Sequence, residues 1–246
     1  MDHLIYTAMN GAKQVMERQG TNNHNLANLS TTGFRADYDA SMALPVYGPG
    51  HPSRVYTQDS TIGVDYTQGA TVHTGRDLDV AVGGDGFLAV QGRDGTEAYT
   101  RAGDLRVSAE GFLETGAGHM VMGNGGPIAL PRYEKLDNGA DGTVSSIPLG
   151  QTETEIAVID RIKLVNPAQG DLEKGEDGLL RMKNGDIADA DAEVTLMTGS
   201  LEGSNVNAVS SLVTMIELSR QFEMHIKILK AAEEADKSSA KVVSMS

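Results

Sequence analysis

The sequence lacks cysteine and tryptophan altogether, and only 4% of its 246 residues are aromatic. Without cysteine, disulfide bonds, thiolate metal sites and thiol catalysis are all excluded. A core with so few aromatic side chains must be aliphatic, and the large side chains that usually line ligand pockets are scarce. These two absences narrow the kinds of functional site that the chain can form.

Long apolar runs are missing as well. No stretch approaches the roughly 20 apolar residues that a membrane-spanning helix needs. The first residues also lack the cationic segment and apolar core of a cleavable signal peptide. We therefore expect no membrane insertion, and a chain that either stays in the cytoplasm or is exported with its N-terminus intact.

Positive charge is scarce in the middle of the chain. The sequence has 20 Lys and Arg against 34 Asp and Glu, a net charge of −14. The acidic excess lies between residues 36 and 204, whereas both ends are close to neutral. Because a strongly acidic surface repels nucleic-acid phosphates, we expect no nucleic-acid partner. The near-neutral ends can pack against one another without accumulating repulsion.

Residues at both ends recur in alternating steps of three and four, a spacing that keeps one seam of a helix facing a partner helix. The positions are Ile5, Ala8, Ala12, Val15, Gln19, Asn22, Leu26 and Leu29 near the start, and Leu212, Met215, Ser219, Phe222, Ile226 and Leu229 near the end. Polar residues in such a seam weaken a helix pair but fix its register. The pattern predicts an assembly interface, and we expect Ser204 or Asn205 to cap the second helix.

The predicted fold is mixed α and β. Residues 1–35 and 204–246 form long terminal helices that pair as an inner coiled-coil-like domain. The prolines and glycines of residues 36–75 predict an extended linker. Short β-prone runs between Gly- and Asp-rich turns predict that residues 76–203 form a central antiparallel all-β outer domain of sandwich or barrel type.

Familiar catalytic and metal-binding patterns are absent from the sequence. The six histidines have neither HxH nor HExxH spacing. Asp189, Asp191 and Glu193 alternate, but the segment lacks the glycine and the closing glutamate of a calcium loop. The glycines of residues 116–126 do not follow a phosphate-binding spacing, and no GxSxG nucleophile elbow occurs. We therefore expect no enzyme activity, no cofactor and no metal site.

Several segments resemble one protein family. Residues 25–35 read Asn-Leu-Ala-Asn-Leu-Ser-Thr-Thr-Gly-Phe-Arg, an Asn-rich helix end followed by Thr-x-Gly-Phe and a basic residue. This segment resembles the N-terminal signature of the flagellar rod and hook family. Residues 78–82, 98–103 and 201–207 are similar to the family's central and C-terminal motifs. The signature residues are Asn25, Ala27, Asn28, Gly33, Phe34, Asn205 and Asn207.

This resemblance implies a function. Members of the family are structural subunits that polymerise through paired terminal helices into the hollow drive shaft between motor and hook. The resemblance implies other proximal- and distal-rod subunits as partners, passage through the flagellar type III export apparatus without a cleaved signal peptide, and a location in the basal body where the rod crosses the periplasm. The β domain would form the outer layer, with no enzyme activity. Phe222-Glu223 and Gly203-Ser204 favour a proximal-rod subunit over its distal-rod paralogue.

The residues alone leave two other classes of protein open. One is a secreted β-domain hydrolase with helical oligomerisation ends, for which we would expect a polar pocket with perturbed carboxylates. The other is a cell-surface adhesin or binding module, which would need a large exposed patch on the β domain.

Overall fold

The structure, a computed structural model, describes residues 2–45, 55–148 and 157–244, which form two compact units. The first, the helical unit, comprises Met1–Leu29, Ala36–Asp65 and Val206–Ser246, and the second, the β unit, comprises Ser30–Arg35 and Tyr66–Asn205. Among the described residues, neither helix contains a stretch that is long and apolar enough to cross a bilayer.

In its described residues, the helical unit consists of two long helices and one hairpin. Helix α1 spans Asp2–Ala27 and helix α2 spans Ala208–Ser244, and the two pack against each other. Neither contains proline, so nothing interrupts the main-chain hydrogen bonds. Strands β1 (Asp37–Pro45) and β2 (Val55–Val64) pair antiparallel and also pack on α1. Mutual burial of this kind stabilises helices and hairpins that would be marginal alone.

Small residues form the part of α1 that is buried most deeply. Ala8, Ala12 and Val15 are all less than 9% exposed. At Gly11, a Cβ atom would lie only 2.4 Å from the ring of His225 on α2. The missing side chain therefore leaves the space that the histidine ring occupies, and the two helices approach closely at this level.

The predicted coiled-coil-like domain is not confirmed, although the helices do pair. On α2 the most buried residues are Leu218 and Ala232, each 3% exposed, neither of which belongs to the predicted seam. The seam residue Leu212 is 48% exposed. The predicted seam combines residues from two faces of α2. One face packs on α1 and the other faces solvent, and apolar residues occur on both.

The extended linker predicted for residues 36–75 is also wrong. Within the described part, this region forms the β1–β2 hairpin, with Asp37 opposite Val64 and Pro45 opposite Val55. Pro45 is tolerated because it lies at the end of its strand, where a missing main-chain donor does least harm. Pro49 and Pro52, on which the linker prediction rested, lie outside the described residues.

The β unit contains many short strands, as the turn-rich sequence predicts. The strands are β3 (Thr71–His73), β4 (Val80–Gly83), β5 (Phe87–Gln91), β6 (Glu97–Thr100), β7 (Leu105–Val107), β8 (Leu113–Thr115), β9 (Met122–Gly123), β10 (Gly126–Pro127), β11 (Tyr133–Asn138), β12 (Thr143–Pro148), β13 (Ala157–Arg161), β14 (Leu164–Val165), β15 (Leu172–Lys174), β16 (Leu180–Met182), β17 (Thr195–Thr198) and β18 (Ser200–Glu202). Every pairing among the described strands is antiparallel.

The strands of the β unit form small sheets around one aliphatic core. A five-stranded sheet has the order β14–β5–β6–β16–β15, a three-stranded sheet has the order β11–β12–β13, and the remaining strands associate in pairs. The core includes Leu88, Leu113 and Val144, all fully buried, and leucine and valine predominate in it. The core is therefore aliphatic, as the scarcity of aromatic residues requires.

Three hairpin turns of the β unit repeat one Gly-x-Asp-Gly pattern, at residues 92–95, 139–142 and 175–178. In the first, the N–H of Gly95 donates to the oxygen of Gly92 at 3.0 Å, and the last glycine lies at positive φ in all three turns. Glycine adopts this left-handed conformation without the steric penalty that other residues incur. Because each of these turns reverses the chain within four residues, the β unit can connect many short antiparallel strands.

We predict that Gly11→Ala destabilises the helical unit, whereas Gly20→Ala in the same helix does not. A methyl group at Gly11 collides with His225, and overpacking of this kind costs about 1–3 kcal/mol. Gly20 has no neighbour within 4 Å of a Cβ atom, so alanine there should stabilise the helix by about 0.5–1 kcal/mol. Urea unfolding followed by far-UV circular dichroism measures both changes.

His225→Ala in the Gly11→Ala background is the matching control, because it removes the ring that the new methyl group meets. It should restore part of the lost stability. Equal effects of the two glycine substitutions would contradict the close approach at Gly11.

Candidate functional site

The Asn-rich end of α1 is held by side-chain hydrogen bonds. The side-chain amide of Asn25 donates to the main-chain oxygen of Asp37 at 2.7 Å, and its oxygen accepts from the N–H of Asp37 at 2.9 Å. The amide of Asn22 donates to the main-chain oxygen of Ser211 on α2 at 2.9 Å. Asparagine is a poor helix former, and these bonds to the hairpin and to α2 compensate for its weak propensity.

The predicted interface residues divide between buried, intermediate and exposed positions. Ala8, Ala12 and Val15 are buried, Leu29 and Leu212 are exposed, and the intermediate positions are Ile5, Gln19, Asn22, Leu26, Met215, Ser219, Phe222, Ile226 and Leu229. The spacing missed Gln14, Leu218 and Ala232, all of them buried. A seam with the same alternating spacing includes both missed residues of α2 if it passes through Met215, Leu218, Phe222, His225, Leu229 and Ala232.

After the helices pair, a second apolar face of α2 remains in solvent. Val209, Leu212, Val213 and Ile216 are between 48% and 72% exposed and follow one another at helical spacing, so they form one continuous surface. We call these four residues the α2 stripe. Contiguous apolar patches of this kind on a protein surface mark interaction sites.

Further exposed apolar side chains occur along both helices. Met224 and Ile228 lie beyond the α2 stripe, and Tyr6, Met9 and Met16 are more than half exposed on α1. The helical unit therefore presents apolar surface to solvent on each of its two helices. Such surface is unfavourable in water and is stabilised when a partner covers it.

A buried ion cluster lies in the β unit, where Glu202 accepts a hydrogen bond from Arg101 and forms an ion pair with Arg35. The carboxylate of Glu202 lies 2.6 Å from the guanidinium of Arg35 and 2.9 Å from that of Arg101, and each of the three side chains is less than 5% exposed. The N–H of Gly69 donates to the same carboxylate at 2.9 Å. Charges withdrawn from water are retained only when they are paired and hydrogen-bonded in this way.

The ion cluster connects segments that are far apart in the sequence. Arg101 donates to the main-chain oxygen of Gly84 at 2.5 Å, and its guanidinium lies 5.4 Å from the ring centroid of Phe87. Arg35 and Glu202 lie in the segments that precede the β1–β2 hairpin and α2 respectively. The cluster therefore joins the first and last segments of the β unit to its central strands.

The electrostatic balance around Glu202 favours its charged form. Burial raises the pKa of Glu202, but the hydrogen bond from Arg101, the charge of Arg35 and the N–H of Gly69 lower it by more, so the pKa lies below its usual value of 4.5. The carboxylate therefore remains ionised at neutral pH despite its burial.

Gly33 of the family signature packs directly on the main chain of Arg101 within the β unit. It lies at a φ of +66°, and a Cβ atom would lie only 2.2 Å from the main-chain carbon of Arg101. Its N–H donates to the main-chain oxygen of Glu202 at 2.8 Å. Only glycine fits both the left-handed conformation and the close approach. This contact places Gly33 directly beside two members of the ion cluster.

The other signature residues also have definite positions. Lys174 lies 4.2 Å from the ring centroid of Phe34, and the side chain of Asn205 donates to the main-chain oxygen of Thr67 at 3.1 Å. Asn28 donates to the main-chain oxygen of His24, and Ala27 is the exposed last residue of α1.

The predicted cap of α2, Ser204 or Asn205, is wrong. The side chain of Asn207 accepts from the N–H of Ser210 at 3.0 Å, directly before the helix begins at Ala208. Asparagine is a favoured N-cap, and this residue stands three positions before its partner, as the capping geometry requires.

Sequence reasoning missed the pairing within the ion cluster. Arg35, Arg101 and Glu202 all stand inside the segments that resemble the rod and hook family, but nothing in those motifs indicates that the three side chains meet. Charged residues surrounded by glycines and apolar residues were the available signal. In the described residues, no three His, Asp or Glu side chains are arranged to hold a metal ion.

Comparisons with known proteins cover the whole chain. It is 42% identical over 252 residues to the flagellar basal-body rod protein FlgF of Escherichia coli and 40% identical to FlgF of Salmonella typhimurium, with 100% of each chain covered. It is 30% identical to the flagellar basal-body rod protein FlgG of Bacillus subtilis, over 94% of this chain and 95% of that protein.

The chain belongs to the flagellar FlgE/F/G rod and hook family. Residues 81–146 match the family described as the flagellar hook protein FlgE/F/G D1 domain, and residues 197–242 match the family described as flagellar basal body rod FlgEFG protein C-terminal. The first match falls in the β unit and contains Arg101, and the second contains Glu202 and the α2 stripe. The α2 stripe and two members of the ion cluster thus lie in family segments, whereas Arg35 precedes both.

We predict that Glu202→Gln destabilises the β unit by about 3–5 kcal/mol, because it leaves two buried guanidinium groups without their counter-charge. Urea unfolding at neutral pH, followed by the near-UV circular dichroism of the buried Tyr99, measures the loss. Glu193→Gln is the matched control, since it removes the same charge from an exposed position and should change stability by less than about 0.5 kcal/mol. Indistinguishable unfolding curves for the two variants would refute the importance of the cluster.

The lowered pKa of Glu202 also predicts a pH dependence. Because the carboxyl pKa is lower in the folded than in the unfolded state, its contribution is fully present above the unfolded pKa and is lost as the pH falls through the folded value, below 4.5. In acid titrations, the difference in stability between the wild type and Glu202→Gln should shrink over that range. A difference that stays constant would show that the charge of Glu202 is not responsible.

Proposed function

We propose that this protein is a structural subunit of the bacterial flagellar basal-body rod and polymerises through its terminal helices to help form the hollow drive shaft between motor and hook. The observation that carries the proposal is the α2 stripe, which remains exposed after α1 and α2 have paired. Full-length similarity to proteins named as basal-body rod proteins supports it.

The α2 stripe supplies the driving force for assembly in this scheme. Burying a valine, leucine or isoleucine against a neighbour contributes roughly 1.5–3 kcal/mol per side chain. Several such residues per subunit offset the entropy that is lost when subunits and side chains become ordered. The predicted interface residues then have two roles: Ala8, Ala12 and Val15 pair the two helices of one subunit, whereas Leu29 and Leu212 contact neighbouring subunits.

The partners in this proposal are further copies of the chain and the neighbouring proximal- and distal-rod subunits. The chain reaches the rod through the flagellar type III export apparatus without cleavage of a signal peptide, and resides where the rod crosses the periplasm. It has no catalytic role, binds no nucleic acid and does not insert into the membrane. The aliphatic core and the acidic surface of the β unit suit an outer, solvated layer.

The proximal rod is favoured over the distal rod. Identity to the FlgF proteins of Escherichia coli and Salmonella typhimurium is 40–42% over the whole chain, whereas identity to the FlgG protein of Bacillus subtilis is 30%. FlgG remains the second candidate because the similarity extends over 94% of this chain.

We predict that Val213→Asp blocks rod assembly but leaves the folded subunit intact. Val213 is 50% exposed, so aspartate is tolerated in the free subunit, but it would become an unpaired charge in a covered interface. Swimming in soft agar and fractionation of basal bodies measure assembly, and far-UV circular dichroism of the purified variant measures folding.

Val158→Asp is the matched control, because it makes the same substitution at a 69% exposed valine of the β unit. It should leave motility unchanged. Normal rods in a strain carrying Val213→Asp, or loss of motility with both variants alike, would argue against assembly through the α2 stripe.

A further inference from the structure

Four Asn-Gly dipeptides occur in the sequence, beginning at Asn10, Asn124, Asn138 and Asn184. An asparagine before glycine is especially open to deamidation, because glycine has no side chain to hinder attack by its own nitrogen. Attack requires a free side-chain amide and a main-chain N–H that is not held elsewhere. Since the reacting dipeptide is the same at all four sites, the fold decides which of them reacts.

Two of the dipeptides are protected by regular structure and burial. Asn10-Gly11 lies inside α1, where the main-chain N–H groups are engaged in the helix, and Gly11 is covered by His225. Asn138 is 4% exposed, and its side-chain amide donates to the main-chain oxygen of Asp77 at 3.0 Å. The N–H of the following Gly139 donates to a main-chain oxygen at 2.7 Å.

A third dipeptide, Asn184-Gly185, is exposed but held by hydrogen bonds. The side-chain amide of Asn184 donates to the carboxylate of Asp186 at 2.6 Å, and its oxygen accepts from the N–H of Asp186 at 3.1 Å. The N–H of Gly185 donates to the oxygen of Met182 at 3.0 Å. Both reacting groups are therefore occupied.

Asn124-Gly125 differs from the other three. Both residues are exposed and connect β9 to β10, between the paired residues Gly123 and Gly126. Within the described residues, no hydrogen bond engages the Asn124 amide or the N–H of Gly125. Neither residue lies at positive φ, so the segment is not the tight type I′ turn that an Asn-Gly pair usually forms in a two-residue hairpin.

We propose that Asn124 is a site of spontaneous deamidation in the folded protein. Hydroxide removes the proton of the Gly125 N–H, and the nitrogen attacks the side-chain carbonyl carbon of Asn124 to form a new C–N bond. The bond from that carbon to the amide nitrogen breaks, and the nitrogen takes up a proton and leaves as ammonia. Water then opens the five-membered succinimide at either carbonyl, giving aspartate or isoaspartate without oxidation or reduction.

The modification changes both charge and geometry at the β9–β10 turn. It adds a negative charge beside a surface cleft of about 120 Å³ that Asn124 lines together with Arg161 and Asp191. In the isoaspartate product, the main chain also gains one methylene group between Gly123 and Gly126. Because the two strands are joined by only two residues, this extra atom alters their pairing.

The experiment incubates the purified full-length protein at mildly alkaline pH and follows all four asparagines by peptide mapping and mass spectrometry, with isoaspartyl methyltransferase labelling to detect isoaspartate. We expect Asn124 to react at least about tenfold faster than the other three, the factor that corresponds to loss of one protecting hydrogen bond. Its rate should rise with pH. A native-state rate at Asn124 no higher than at Asn184 overturns the proposal.

Two controls separate the effect of the fold from that of local sequence. In urea the four rates should converge, and a lead of Asn124 that persists unchanged in the unfolded chain overturns the structural explanation. Gly125→Ala should slow deamidation at Asn124 by at least about tenfold relative to the wild type and leave the rates at the other three asparagines unchanged. This variant should fold normally, because a Cβ atom at position 125 meets nothing within 4 Å, and an undiminished rate at Asn124 would exclude attack by the Gly125 nitrogen.

Discussion

The pairing of one buried carboxylate with two buried guanidinium groups is the constraint on which the β unit depends. Glu202 lies within 3 Å of both Arg35 and Arg101, and all three side chains are withdrawn from water. Removing Glu202 leaves two buried positive charges without compensation, so the burial of both arginines depends on this one carboxylate. It also joins three segments that are distant in sequence. Gly33 lies against the main chain of Arg101 and donates to that of Glu202, so this glycine of the family signature is in direct contact with the cluster.

The helical unit uses two faces of α2 for two purposes. One face, with Leu218 and Ala232, packs closely and is buried, while the α2 stripe remains in water. Small residues on α1 permit the close approach, and larger aliphatic residues are left outside. A subunit that buried all of its apolar helical surface internally would have nothing left with which to polymerise. The division of apolar residues between an internal and an external face therefore agrees with the proposed role as a rod subunit.

The asparagine side chains near turns and helix ends differ in what they contact. Asn25 binds the main chain of Asp37 through both atoms of its amide, and Asn207 caps α2. Asn138 and Asn184 are held by hydrogen bonds, whereas Asn124 is open to solvent. The same side chain thus strengthens a helix end, caps a helix or remains chemically exposed, depending only on which groups the fold places beside it.

The sequence by itself predicts the features that depend on local residues. These are terminal helices without proline, short antiparallel strands between glycine turns and an aliphatic core. Its motifs also indicate membership of the rod and hook family. Tertiary structure decided which of the apolar positions on α2 are buried, that residues 37–45 and 55–64 pair as strands, and that Arg35, Arg101 and Glu202 meet. Those outcomes depend on contacts between residues far apart in the chain. Periodicity reports that a residue is apolar and how often it recurs, but not which neighbour will cover it.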